Sequence, residues 1–167
     1  MGMIGNYLRV TTEELESFLS DSSKLENRVY NGDSHKDTGL IDVDKSWEAI
    51  FFLLTGQALA TCDEASPPFS WVLLPPNEID PDQDMGYGPA TYTTAAQTKE
   101  LSAAINNITD DEIKRRYDGS RMNEMGIYPE CWTDDVSREY LFDNFNSLKN
   151  FLTDAANNNQ PVIVFIN

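Results

Sequence analysis

The segment from Asp42 to Gly56 constrains the fold more than any other. It opens with acids at Asp42 and Asp44, runs on as Trp47-Glu48-Ala49-Ile50-Phe51-Phe52-Leu53-Leu54, and stops at Gly56. A helix that is apolar all round has no face to give to water, so it has to lie in the middle of a core. Asp44 is the expected N-cap, and Gly56 the expected left-handed residue just past the C-terminus. Glu48 is the one charge inside the apolar run. A carboxylate on a buried face is where a perturbed acid can arise.

The rest of the chain supplies layers to wrap that helix. Residues 3–10 read as a strand. Thr11 with Glu14, Thr94 with Gln97, and Thr109 with Glu112 each have capping-box spacing, and each predicts a helix start. A long helix is expected from about Asp134, with a stripe of Val136, Tyr140, Leu141, Phe145, Leu148, Phe151, Leu152 and Ala155. Pro161 then opens Val162-Ile163-Val164-Phe165-Ile166, whose unbroken apolar run predicts a strand covered on both faces. Tyr87 to Thr93 reads as a further strand. Residues 21–39 read as polar and turn-rich, with a turn at Asn31-Gly32-Asp33-Ser34. Phe69 to Leu74 is too short to assign as helix or strand. Together these predict an α+β fold in one compact domain spanning residues 1–167. Its small mixed sheet includes the N- and C-terminal strands, and about five helices pack around a buried central helix.

Charge narrows the function classes. The chain carries 28 acids and 12 bases among 167 residues, a net charge of −16. Such a charge repels phosphate backbones and anionic membranes, so neither nucleic acid nor membrane is an expected partner. It favours attraction to a basic protein. The longest apolar run, Ala49 to Leu54, is too short to span a bilayer. The N-terminus lacks the basic and apolar regions of a secretory signal, so the expected compartment is the cytoplasm. Cys62 and Cys131 are then expected as free thiols, with Cys131 beside Trp132 read as a core residue.

Four blocks, in order along nearly the whole chain, carry a family resemblance. They are Met1-Gly2-Met3-Ile4-Gly5; Leu40 to Trp47 running on to Leu53-Leu54-Thr55-Gly56; Asp84-Met85-Gly86-Tyr87-Gly88-Pro89-Ala90; and Asn123-Glu124-Met125-Gly126-Ile127-Tyr128-Pro129 with Trp132. In these the chain resembles the YfbM-like family of uncharacterised bacterial proteins. The resemblance implies a single α+β domain and no established activity. It also implies that histidine is frequent in the apolar helix at the positions held here by Glu48 and Phe51. This chain has no imidazole at either, so chemistry resting on histidine there is not open to it.

Few other residues suggest chemistry. Asp80-Pro81-Asp82-Gln83-Asp84 spaces its acids like the first half of a calcium loop, but Met85 stands where that loop needs glycine and Thr91 where it needs glutamate. Gly86-Tyr87-Gly88 lacks the third glycine of a phosphate cradle and reads as a tight turn. His35 is the sole histidine, lies in a polar stretch, and reads as a surface residue. The cysteines lack paired spacing, so no metal and no cofactor is expected. Lys114-Arg115-Arg116 with Arg121 is the only basic cluster, read either as an anion site or as internal pairing with the surplus acids.

The leading functional expectation is a non-catalytic acidic binding protein that masks or recruits a basic partner. Bacterial immunity proteins offer an analogy for that combination of size and charge. The alternative is a small-molecule binder or enzyme with a pocket between helix 44–55 and loop 84–92. In that case Glu48 and Glu124 are the candidate acid/base residues, and Trp47, Tyr87, Tyr92 and Tyr128 the candidate ligand-binding walls. A purely structural or assembly role is the third reading.

Overall fold

The computed structural model describes residues 2–32 and 36–167. The turn expected across Asp33 and Ser34, and His35, lie outside them. In chain order come β1 (Gly5–Arg9), α1 (Thr12–Ser20), α2 (Ser23–Glu26), β2 (Leu40–Asp42), α3 (Trp47–Thr55), β3 (Asn77–Glu78), β4 (Thr91–Thr93), α4 (Ala95–Asn106), α5 (Asp110–Arg116), α6 (Gly119–Glu124), α7 (Asp135–Asn157) and β5 (Val162–Ile166). The fold is α+β, as expected. Among the described residues no helix is long and apolar enough to cross a membrane.

The strands form one sheet in the order β2-β1-β5-β4-β3. Every pairing is antiparallel, where a mixed sheet was expected. β5 inserts between β1 and β4 and runs antiparallel to both. The central strand β5 is covered on both sides, as its unbroken apolar sequence predicts. Val162 and Val164 face a large core with Tyr7, α3, α4 and α7. Ile163 and Phe165 face a second, smaller core with Leu8, Leu15, Phe18, Leu25, Met85 and Ala90.

The central helix is α3, with eight of its nine residues buried. Gly56 ends it in the left-handed conformation at φ 73°, and its N–H donates to the Phe52 carbonyl. Its start differs from expectation. Asp44 opens a 3-10 turn at φ 46°, and Ser46, not Asp44, precedes the first α-helical residue. The Asp44 carboxylate is drawn elsewhere, accepting the Tyr140 hydroxyl at 3.0 Å.

The caps at Thr11 and Thr94 form complete boxes, and Asp134 caps α7. At Thr109 only half the box forms, because Glu112 pairs with Arg116 instead. Three further expectations are corrected. The Tyr87–Thr93 strand shrinks to Thr91–Thr93, since Gly86 and Gly88 hold a turn with positive φ before it. Val136 is 77 % exposed and stands outside the α7 stripe, because α7 reaches the core only from its second turn. Cys131 is exposed, because Trp132 takes the inward position beside it.

Candidate functional site

Glu48 is the only acid buried among the described residues, at 6 % exposure. It sits in the first turn of α3, and both of its oxygens are occupied. Oε1 accepts the Leu59 N–H at 2.8 Å and Oε2 accepts the Tyr128 N–H at 2.8 Å. A buried carboxylate that accepts backbone donors is stabilised by charge-assisted bonds. Glu48 therefore latches the loop after α3 and the loop after α6 onto the central helix.

Tyr128 is the second member of this node. Its ring stacks on Trp47 at 5.6 Å between centroids, and its hydroxyl accepts the Met3 N–H at 3.0 Å. The Trp47 indole N–H returns to the Met3 carbonyl at 3.2 Å. The approach of α3 to β1 is close enough that a Cβ on Gly5 would lie 2.5 Å from the Trp47 Cβ. Nearby, the Asn123 side-chain oxygen accepts the Trp132 backbone N–H, and the Trp132 indole donates to the Ile127 carbonyl.

The remaining candidates do not join this node. Glu124 is exposed at the end of α6. Tyr92 packs with the core on the opposite face of the sheet from Trp47, and Tyr87 is 60 % exposed. Of the four candidate ligand-binding aromatics, only Trp47 and Tyr128 meet. Asp80 and Asp84 of the 80–84 loop accept hydrogen bonds from nearby backbone N–H groups and, at Asp80, from Ser22. Asp84 Oδ1 accepts the N–H groups of Gly86 and Gly88, which holds its carboxyl below the usual range. Asp80 accepts the Ser22 hydroxyl and the Asp82 N–H, with the same effect.

A family model described as a domain of unknown function (DUF1877) matches residues 1–165. The chain belongs to the DUF1877 family. Protein YfbM of Escherichia coli (strain K12) is 28% identical over 133 residues, covering 77% of this chain and 74% of that protein. The crystal structure of a protein of unknown function, YfbM from Escherichia coli, superposes with a TM-score of 0.72 at 16% identity. It covers 98% of this chain and 99% of that one, and at that identity the likeness establishes the shared fold. Three of the four blocks that carry the resemblance meet at the Glu48 node, while the 84–90 block lies across the sheet. In this DUF1877 domain the node is a latch that ties the N-terminal segment, the central helix and two loops together.

Two residues placed in sequence only as part of a stripe and of a basic cluster turn out to hold the ends of α3. Tyr140 pins the start of α3, donating to Asp44 and accepting the Lys45 N–H at 3.0 Å, and burial pushes its hydroxyl pKa up. A tyrosine inside an apolar stripe was the available signal, since its polar tip needs a partner. Arg116 closes the other end of α3, as its Nη1 donates to the Leu53 and Leu54 carbonyls. Its position 62 and 63 residues away in sequence left no local signal for that contact.

Proposed function

We propose that this DUF1877 protein is a non-catalytic binding protein whose acidic surface docks a basic protein partner in the cytoplasm. The observation that carries the reading is a net charge of −16 with a single buried acid among the described residues. That acid, Glu48, is consumed by two backbone N–H groups, so the remaining charge works at the surface.

The outer side of α7 is the favoured docking face. Asp135, Glu139 and Asp143 are exposed at successive i, i+4 positions, a ridge about 12 Å long at the rise of a helix. Like charges at that spacing weaken a helix. Only Asp135 is matched, by Arg138 at 2.9 Å, and Glu139 and Asp143 form no ion pair among the described residues. Val136 stands beside the ridge as an exposed apolar contact. The same field repels nucleic acid and anionic lipid.

The test is affinity capture at low salt, followed by reconstitution with the purified captured protein. The reading expects a discrete basic protein, bound at a fixed stoichiometry and released as salt rises. Recovery of nothing beyond what an unrelated protein of equal charge captures would remove it.

A further inference from the structure

One cleft in the described molecule carries the opposite sign to the surface as a whole. It has a volume of about 480 Å³ and lies where α5 and α6 approach the C-terminal end of α3. Small-molecule sites commonly have volumes of this order. Arg115, Arg116 and Arg121 line it, together with Asp118 and the backbone of Thr55 and Gly56.

Arg116 has a structural duty. It donates to the Leu53 and Leu54 carbonyls at 3.2 and 3.4 Å and pairs with Glu112 at 2.6 Å. A cation at this place offsets the negative pole of α3. With that pole already met, Arg115 and Arg121 are surplus to it. Neither forms an ion pair among the described residues, in a chain with 28 acids available. The Arg121 guanidinium carbon lies 5.9 Å from the centre of the Phe52 ring, a cation–π contact that leaves its charge without an acidic partner among the described residues. Asp118 spends Oδ1 on the Arg121 backbone N–H at 3.0 Å, where it caps α6.

We infer that this cleft binds a small anion through a carboxylate or phosphate group, gripped by Arg115 and Arg121. The planar guanidinium suits both oxyanions, since each can accept two parallel N–H bonds. The site goes beyond the partner reading. It lies on α3, α5 and α6 rather than on the α7 ridge, and its ligand has the opposite charge to the proposed partner.

The test titrates the whole protein separately with inorganic phosphate and with succinate at constant ionic strength, following backbone amide shifts by NMR. Saturable shifts at Thr55, Gly56 and residues 115–121 are expected with at least one of the two. The anion that saturates at lower concentration identifies the preferred group. Arg115→Gln with Arg121→Gln should weaken binding about tenfold or more. Arg115→Gln alone changes only an exposed side chain, so it provides a folded variant with reduced binding. Arg138→Gln, on α7, should leave binding unchanged. Shifts that stay linear with both anions, or saturation that survives Arg115→Gln unaltered, would overturn the inference.

Discussion

Replacing Glu48 with glutamine exchanges one oxygen for an NH2 group and removes the charge. Glu48 receives the Leu59 and Tyr128 N–H groups at 2.8 Å each. In Glu48→Gln one of those donors keeps an oxygen, and the bond weakens from charge-assisted to neutral. The other donor faces a second donor and is left unmade. A hydrogen bond to a charged group contributes about 1.5–3 kcal/mol, and an orphaned buried donor costs about 1–3 kcal/mol. A net loss of about 3 kcal/mol follows. For a chain of this size that corresponds to a fall in Tm of roughly 6–12 °C. Glu48→Ala removes both bonds and leaves a cavity, so it should fall further. Urea unfolding followed by circular dichroism, with an unchanged m-value, gives the free energy, and calorimetry gives Tm. The sign is informative. An acid held in place for chemistry is commonly a cost to stability, and its removal stabilises. A Tm that rises in Glu48→Gln, or that stays within about 1 °C of the native value, would refute the latch.

Two other outcomes follow, one from the same node and one from the Arg28–Asp37 ion pair. Gly5→Ala places a Cβ against Trp47 between the central helix and a doubly paired strand, and should cost about 1–3 kcal/mol by urea unfolding. Asp37 is held below the usual carboxyl range, first by its hydrogen bond from Arg28. A depressed carboxyl contributes stability that is present above its unfolded pKa, near 3.9, and is lost as pH falls through the lower folded value. Acid unfolding below about pH 4 should therefore be less steep in Asp37→Asn than in the native chain, measured by fluorescence across that range.

The parts of the fold that were legible in sequence rest on local or continuous signals. Thr11, Thr94 and Asp134 cap helices with side chains three residues from their partners. The apolar run of α3 and that of β5 each announce burial on every side. The strands β2 and β3 were not legible, because three and two residues are too few for a period. They exist through pairing with β1 and β4. The segment 23–31 was read as turns because it is polar, yet Leu25 and Val29 anchor helical turns on the smaller core. The node shows the same division. Glu48 stood out as the lone charge in an apolar helix, but its partner Tyr128 lies 80 residues away, so only the tertiary fold decides between latch and reactive acid. The Arg115–Arg121 cluster was visible as a run of bases. Which arginine caps α3 and which two remain open was not, because that depends on where α3 ends in space.

The central functional claim is that charge on the α7 ridge, not chemistry at Glu48, is what the protein uses. The direct measurement is the affinity of the reconstituted basic partner for Glu139→Gln with Asp143→Asn, across a range of salt, beside the stability of the same variant. Relieving like charges at i, i+4 should leave stability unchanged or raise it by a few tenths of a kcal/mol. Affinity should fall by about tenfold at low salt, with a shallower dependence on salt than in the native chain. An affinity and a salt dependence that both match the native protein would contradict the account.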